Sequence, residues 1–525
     1  MKSQEKFQKL PNRLKSIVIF FQKMRLPAKV VYLLISILAT IWFLIRVIPK
    51  PSRATYPCMQ VAAPIMSGFV IWILALSGAT FAFKKAKHKL IEAKYLAAGL
   101  FLIIGIAATS VFTAQSAKET KAASLDIWYK PNIPLGDAKG MHPGRVAWGH
   151  NDQIASWDGK TGFWWEDRFN NQAETDKLLA QTLFTLTDLQ DEKASWNELF
   201  RFFNKTKHQV DAGYRKGQKI AVKINLNNTY SQESNNEINA NPFLVLSLIK
   251  SLVNEAGIAQ EDITITDPSR FFTNNIFDKC HSAYPNVHYV DHNGGNGREK
   301  SAFVKDGFQY SFDFDRQTRD LASSMVEADY IIDMALLKGH VSQGVTLCAK
   351  NFFGCTSIED DWHKNAHCSG FSQNREGKRQ YSVYPDFMGH KDLGGKTMLF
   401  LIDGIYSNKF VNGVPESKWA LAPFGNNWPG SLFASQDGVA IDAVGLDFAI
   451  TEWPDAPDMM YSDHYLEEMA LAGNPPSGIA YDPERDGTRL TSLGVTEHWN
   501  NPIDKKYSRN LKTGNGIELI YQKVN

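Results

Sequence analysis

Apolar residues beyond about position 170 form short, nearly continuous runs that alternate with amphipathic segments. The runs predict strands at residues 219–224, 262–266, 286–290, 330–337, 397–402 and 431–434. The amphipathic segments predict helices, among them residues 175–186, 196–203, 242–257 and 438–450. Strands that lack a polar face are buried on both sides, and their alternation with helices favours parallel pairing. The pattern therefore predicts an α/β fold, with a mainly parallel sheet and helices on both faces.

Three uncharged apolar segments precede this region, at residues 30–45, 54–83 and 95–117. A helix needs about 20 apolar residues to cross a bilayer, and residues 62–83 are the expected membrane part of the second segment. Buried core helices are the alternative, but three such segments in succession with basic flanks are typical of a membrane protein. The sequence thus predicts three transmembrane helices before the α/β fold, with the lipid bilayer as their partner.

The formal net charge of +2 hides a strong asymmetry along the chain. Residues 1–114 contain 16 Lys and Arg against 2 Asp and Glu, whereas the rest of the chain contains 41 against 53. The basic residues concentrate before the first predicted span and between the second and third. The positive-inside rule then places the amino terminus in the cytoplasm and everything beyond residue 117 outside it, which in a bacterium means the periplasmic side of the inner membrane. The acidic remainder argues against nucleic acid as a partner.

These patterns divide the chain into three parts. Residues 1–117 form the predicted membrane region. Residues 118–215, rich at first in Gly, Pro, Trp and Asn, form a wrapping segment and helices packed on the soluble domain. Residues 216–525 form the α/β domain. The five cysteines include no Cys-x-x-Cys, so the sequence encodes neither a ferredoxin-type iron–sulfur motif nor a zinc ribbon.

Polar residues follow several of the predicted strands, and ligands of open α/β sheets bind outside the carboxyl ends of the strands. The candidate ligand-binding residues at these ends are Asn225, Asn227, Asp267, Arg270 and Asp437, and Asp291 and Asp403 occupy equivalent places. The alternative is that these residues only begin turns and cap helices, which fits Asp437 in particular. Asp442 lies inside an apolar helix, where a carboxylate is harder to explain, and is a further candidate.

Lys338 and His340 end an apolar run two residues apart, so their side chains point to the same side of a strand. With Lys350 they form a predicted cationic, proton-transferring cluster, because histidine titrates near neutral pH and a lysine beside other cations has a lowered pKa. Gly344 and Thr346, at a predicted helix start, would offer backbone amides to an anionic group. The alternative is structural: His340 hydrogen-bonds the core backbone and Lys350 neutralises a buried aspartate.

His363 and His367 lie four residues apart, a spacing that puts both imidazoles on one face of a helix. With Asp360 nearby, they predict a divalent metal site. The segment lacks the glutamate of the metalloprotease motif, and the alternative is a polar loop that binds no metal.

Several segments together resemble one known family. They are Ala221-Val-Lys-Ile-Asn-Leu-Asn227, Thr266-Asp-Pro-Ser-Arg270, Leu337-Lys-Gly-His340, Gly344-Val-Thr-Leu-Cys-Ala-Lys-Asn351, Phe353-Gly354 and Ser435-Gln-Asp-Gly-Val-Ala-Ile-Asp442. The family is catalogued as domain of unknown function 362, and the resemblance covers about residues 219–449. Its Lys-Asn pair adds Asn351 to the candidate ligand-binding residues. At fold level the family is similar to nickel-dependent lactate racemases, which use histidines and lysines around a tethered metal cofactor. Some members add iron–sulfur modules, for which this chain lacks the cysteine spacing.

The sequence thus predicts a membrane-anchored, extracytoplasmic α/β protein that binds a small anionic ligand. The first hypothesis is an enzyme with acid–base or metal-assisted chemistry at Lys338, His340 and Lys350, and a divalent metal is the one cofactor that the residues suggest. The alternatives are a non-catalytic binding or sensing module that reports to the membrane helices, and an electron-transfer accessory protein.

Overall fold

The computed structural model describes residues 84–85, 130–312, 318–340, 343–357, 381–416, 418–456 and 459–524. The three predicted membrane segments lie outside these residues, and their crossing of a membrane stays a prediction. Within the described ranges, no helix combines the length and the apolar character that a membrane crossing requires. All elements named below belong to one unit, residues 127–525.

The strands follow one another along the chain with large gaps between them. They are β1 (Leu135–Gly136), β2 (Arg145–His150), β3 (Ile220–Lys223), β4 (Ile263–Asp267), β5 (His288–Asp291), β6 (Glu299–Lys300), β7 (Phe303–Gln309), β8 (Thr318–Ala322), β9 (Tyr330–His340), β10 (Gly344–Thr346), β11 (Thr397–Asn408), β12 (Ser431–Ser435), β13 (Val495–Thr496) and β14 (Glu518–Lys523). All the strands expected from the apolar runs are present, and β9 and β11 extend beyond their predicted ends.

The helices fill most of the gaps between the strands. They are α1 (Gln172–Thr187), α2 (Glu192–His208), α3 (Pro242–Asn254), α4 (Asn274–Ala283), α5 (Ser323–Val326), α6 (Cys348–Asn351), α7 (Tyr384–Gly389), α8 (Gly438–Glu452) and α9 (Met459–Ala470). The Asn241 side chain accepts from the amides of Phe243 and Leu244 at the start of α3, with Pro242 in the first turn. This is the helix start that the asparagine–proline pair predicts.

The central sheet has the order β14-β2-β12-β11-β9-β3-β4-β5-β6, and β10 folds back along the end of β9. Along that path β12 alone runs antiparallel to its neighbours, and every other pair is parallel. The predicted mainly parallel sheet is therefore confirmed. β2, whose residues 145–150 fall in the predicted wrapping segment, is an interior strand of this sheet.

Helices cover both faces of the sheet around β2 and β12. Consecutive strand residues point to opposite faces. Ala147 and Leu432 join the apolar cluster that contains Leu178 of α1. Their neighbours Trp148 and Phe433 lie on the other face, where the Phe448 ring of α8 is 4.7 Å and 5.2 Å from theirs, centre to centre. The buried runs of these strands are the consequence of this two-sided cover.

One local prediction is wrong. Residues 344–346 do not begin a helix but form β10, which pairs antiparallel with β9 so that Gly344 faces His340 and Thr346 faces Lys338. Gly344 has a φ of 78°, a left-handed conformation that glycine adopts without strain. The helical segment starts four residues later at Cys348. Because the Val345 amide donates to Ser462 Oγ at 3.1 Å, it is not a free anion donor.

Candidate functional site

The carboxyl ends of β3, β4 and β9 meet at one edge of the sheet, because these strands are parallel neighbours. A cleft opens there, which we call the strand-end cleft. It is lined by Lys223, Asn225, Asn227, Asp267, Ser269, Arg270, Thr346, Lys350, Asn351, Phe353 and Gly354. Its cavity of about 30 Å³ has room for roughly two water-sized groups. The cleft is therefore suited to one small polar group of a ligand rather than to a large molecule.

Lys223 and Asp267 form a buried pair on the floor of the cleft. Lys223 Nζ lies 3.2 Å from Asp267 Oδ1, and both side chains are at most 3% exposed. The same Nζ donates to Ile224 O at 2.7 Å and to Asn351 Oδ1 at 3.1 Å. Asp267 Oδ2 accepts from the Leu226 amide at 2.8 Å. A buried charge is tolerated when it is paired and hydrogen-bonded, so this lysine and this aspartate largely neutralise each other.

Asn351 connects β3, the segment that follows it, and β9 beneath the cleft. Its Oδ1 accepts from Lys223 Nζ and, at 3.0 Å, from Asn225 Nδ2. Its Nδ2 donates at 2.6 Å to Oδ1 of Asp333, which is fully buried in β9. Burial raises the pKa of Asp333 well above its usual value, and the hydrogen bond from Asn351 opposes this rise. Asp333 therefore adds little negative charge to the site.

Lys338 reaches the site from the end of β9 and is completely buried. Its Nζ donates to Asn225 Oδ1 at 3.2 Å. Burial lowers the pKa of Lys338 to about 7; the charge of Asp267 raises the pKa and the charge of Arg270 lowers it. At neutral pH this amine is thus present in both its charged and its neutral form.

Lys350 lines the cleft from α6 and is 8% exposed. Its Nζ lies 5.1 Å from the centre of the Phe353 ring, within the range of a cation–π interaction. Burial, and after it the positive charges of Lys338 and Arg270, lower the pKa of Lys350 to about 7. The predicted cationic pair of Lys338 and Lys350 is therefore an electrostatically coupled pair in the structure.

Asp442 holds the short helix that carries Lys350. Its two carboxylate oxygens accept from the amides of Cys348 and Ala349 at 2.8 and 3.0 Å. Burial raises the pKa of Asp442 to about 7, and these amide hydrogen bonds oppose the rise. Asp442 thus orients α6 from behind and is not among the residues that line the cleft.

Arg270 closes one side of the cleft and is partly buried. Its Nε donates to Asn227 O at 3.0 Å, its Nη2 to Asn227 Oδ1 at 3.3 Å and its Nη1 to Ser269 O at 3.1 Å. These acceptors are neutral, so they position the guanidinium without cancelling its charge. A planar guanidinium held in this way is well suited to an oxyanion.

Other predicted site residues lie elsewhere. His340 and Gly344 pair across β9 and β10 and do not line the strand-end cleft, and His340 is partly buried. Asp437 caps α8 through the amides of Val439 and Ala440 and also accepts from the amides of Lys139 and Val495. Its carboxylate therefore joins separate chain segments, as the alternative reading of a helix cap predicts.

The predicted metal ligands His363, His367 and Asp360 lie outside the described residues, so the metal site stays a prediction. In the part of the chain that the structure describes, no three or more His, Cys, Asp or Glu side chains are grouped to hold a metal. Cys280, Cys348 and Cys355 are free and buried.

Sequence reasoning missed two charged residues of the site, Lys223 and Asp333, and the lining residues Ser269, Phe353 and Gly354. Asp333 lies inside β9, and Lys223 is the last residue of β3. The available signal was that a charged residue in a buried strand needs a partner. Their shared partner, Asn351, follows more than a hundred residues after Lys223, a contact that no local pattern shows.

Two comparisons with known proteins bear on this site. No curated protein matches the chain. A family model does match, over residues 220–447, which run from β3 into α8 and include every residue of the strand-end cleft. The expected resemblance is thereby confirmed for this region. Residues 220–447 match the family described as domain of unknown function (DUF362).

Proposed function

We propose that the strand-end cleft binds a small anionic group and that its lysines exchange protons with the bound ligand. The observation that supports this most is the convergence of Arg270, Lys338 and Lys350 at the ends of parallel strands. This is the edge at which open α/β sheets bind ligands.

The charges of the cleft favour an anion. Lys223 is paired with Asp267, and Asp333 has a pKa raised well above its usual value by burial. What remains is the positive charge of Arg270 and of the two coupled lysines. Burial of like charges is unfavourable, and the lowered pKa values of Lys338 and Lys350 express this cost. A bound anion would lower it by supplying the missing negative charge.

The lysines are also suited to proton transfer. A general acid or base works best when its pKa lies near the working pH, and both amines have a pKa of about 7. Lys350 lines the cleft, whereas Lys338 lies behind it and contacts Asn225. We therefore assign proton transfer with the ligand to Lys350, and to Lys338 the tuning of the Lys350 pKa.

A second candidate is a binding or sensing module without catalysis. It is favoured by the small size of the cavity and by the three membrane helices that the sequence predicts before the domain. Both candidates require the same anion site, so binding is the property to test first.

The test is isothermal titration calorimetry of the purified full chain with inorganic phosphate, sulfate and acetate at pH 7 and constant ionic strength. At least one of these anions should bind, and Lys350→Met and Arg270→Met should each lower its affinity at least about tenfold, since each removes a charge-assisted contact. Lys305→Met is the matched control, because Lys305 is exposed on β7 and outside the cleft. Failure of all three anions to bind, or equal losses in all three variants, would refute the proposal.

A further inference from the structure

Three exposed aliphatic side chains lie on two segments that pack side by side. Ile503 is 85% exposed, Ile133 49% and Leu511 38%. Asn132 Nδ2 donates to Lys506 O at 3.0 Å, so the segment that contains Ile133 lies against the one that contains Ile503. Exposed apolar residues that are scattered singly are ordinary, whereas a group of them on one surface marks an interaction site.

The first of these segments also contacts the far end of the second. A Cβ on Gly514 would lie 3.4 Å from Pro134 Cγ. Residues 131–134 therefore run beside both the turn that carries Ile503 and the turn that carries Leu511. The three aliphatic side chains belong to one region of the surface.

A tight, hydrogen-bonded turn holds Ile503 at the surface. The Asn500 amide donates to Lys506 O at 2.8 Å, and the Lys505 amide donates to Asn501 O at 3.0 Å. Asn501 Oδ1 accepts from the Ile503 amide at 2.9 Å. Because these bonds fix the turn, the isoleucine stays in water until a partner covers it, and covering it is favourable.

This turn lies in a basic stretch of a domain that is otherwise acidic. Residues 499–513 contain four Lys and Arg and one Asp, whereas residues 115–525 as a whole contain 41 against 53. Lys506 and Lys512 are exposed. The one carboxylate of the stretch, Asp504, accepts from the side-chain amide of a neighbouring asparagine at 2.9 Å. The local charge therefore favours an anionic partner.

The chain enters the domain at the same surface. Lys130 is exposed and is the first described residue of the unit formed by residues 127–525, and it precedes Ile133 by three positions. The third predicted membrane span ends at residue 117, so twelve residues separate it from Lys130. Twelve residues reach at most about 43 Å even when fully extended. The predicted span thus keeps this surface near a bilayer.

We propose that this surface binds the face of a lipid bilayer that carries anionic headgroups. We call it the loop patch, and it consists of three aliphatic and three basic residues: Ile133, Ile503, Leu511, Lys130, Lys506 and Lys512. The aliphatic side chains enter the boundary between headgroups and acyl chains, and the ammonium groups stay among the headgroups. An anionic membrane repels the rest of the acidic domain, so binding through the loop patch gives the domain one orientation on the bilayer.

A second copy of this chain fits the loop patch less well. A two-fold interface places the same surface of both copies face to face. The lysines of one loop patch would then lie against those of the other, and burial of like charges is unfavourable.

The experiment measures the depth of a fluorophore in nanodiscs that each hold one copy of the full chain, which excludes pairing of two copies. Serine replaces Cys58 and Cys368, and the three remaining cysteines are buried. The dye NBD is attached to Ile503→Cys or, as the matched control, to Val304→Cys. Val304 is also an exposed aliphatic residue, 40% exposed, and lies beside the exposed Lys305 on β7. The discs contain phosphatidylcholine with or without phosphatidylglycerol, and doxyl-labelled lipid is the quencher.

In discs with phosphatidylglycerol, the quencher should reduce NBD emission at position 503 at least about twofold more than at position 304. The difference should disappear without phosphatidylglycerol and in Lys506→Glu/Lys512→Glu, because both changes remove the attraction to the headgroups. Lys300→Glu/Lys305→Glu makes the same change of charge at exposed lysines of β6 and β7 and should preserve the difference.

Equal quenching at positions 503 and 304 in discs with phosphatidylglycerol would overturn the proposal. So would a difference that is the same with and without the anionic lipid, or an equal loss in both pairs of charge variants. A full chain that does not enter the discs would overturn it together with the predicted membrane region. None of these outcomes bears on the strand-end cleft, whose anion binding is measured separately.

Discussion

Replacing Lys338 by methionine should make the stability of the protein less dependent on pH. Methionine has a similar length and is apolar, so it fills the same buried space without an ionisable group. The lost contact from Lys338 Nζ to Asn225 Oδ1 should cost about 1 kcal/mol at every pH. What varies with pH is the cost of burying the charged amine, which the variant no longer has.

The magnitude follows from the pKa. Burial lowers the pKa of Lys338 from 10.5 to about 7, so between these values the unfolded chain binds more protons than the folded one, and stability rises with pH. The part of the stability that depends on the charge of Lys338 is fully present above pH 10.5. It is lost as the pH falls from 10.5 through 7. The slope is at most about 1.4 kcal/mol per pH unit. Because Lys338 is still half protonated in the folded protein at pH 7, the gain between pH 7 and 9 is about 2 kcal/mol. For a cooperative unit of about 400 residues (residues 127–525), this corresponds to about 3 °C in Tm.

The assay is thermal unfolding of parent and Lys338→Met from pH 6 to 9, in buffers free of phosphate and sulfate. Relative to the variant, the parent should gain about 3 °C between pH 7 and 9. Lys305→Met reports the effect of losing a lysine from the surface. A Tm difference between parent and Lys338→Met that is the same at all pH values would show that Lys338 does not titrate in this range, and the assignment of the coupled pair would fail.

Three further predictions concern residues outside the cleft. His340→Ala should lower Tm only slightly, because the side chain is partly buried, and should leave anion binding unchanged, because His340 does not line the cleft; a loss of about 2–5 kcal/mol, as for a core deletion, would make His340 structural. In bacterial spheroplasts, external protease should digest the chain beyond residue 117 and spare the first 25 residues, and protection of the carboxyl-terminal domain would refute the predicted topology. If His363 and His367 bind a divalent metal, a chelator should lower the Tm of the parent but not of the double alanine variant, and the stabilisation should weaken below about pH 6. Equal melting in all samples, with no metal by elemental analysis, would reduce that segment to a polar loop.

The strands of the sheet centre were predictable because they are buried on both faces. The runs at β3, β4, β9 and β11 are nearly continuous in apolar residues, and only strands in the middle of a layered fold need this pattern. β2 and β14 were missed for the opposite reason. They come from opposite ends of the described unit and pair with each other across more than 360 residues. Their place is set by tertiary partners and not by a local pattern.

The cleft was predictable as far as it consists of strand ends. Asn225, Asn227, Asp267 and Arg270, chosen because they follow predicted strands, all line it. Asp437 and Asp442 also met the sequence criteria for a site residue, but their carboxylates accept hydrogen bonds from backbone amides and do not line the cleft. For Asp442 these amides lie more than ninety residues earlier in the chain. Sequence spacing shows where a carboxylate occurs. It does not show which distant amides lie within hydrogen-bond distance of it.

The affinity for an anion that we propose for the strand-end cleft has the same origin as the destabilisation caused by its two buried lysines. Each lysine whose pKa is held near 7 by burial and by neighbouring cations destabilises the folded protein at neutral pH, and a bound anion returns part of that free energy as affinity. A bound anion would also raise the pKa of Lys338 and Lys350, so binding above pH 7 would take up protons. Affinity should then fall by up to tenfold per pH unit for each lysine that is recharged. Calorimetry in two buffers of different ionisation enthalpy measures this proton uptake directly, and an uptake of zero at pH 8 would mean that the anion binds without changing the charge of either lysine.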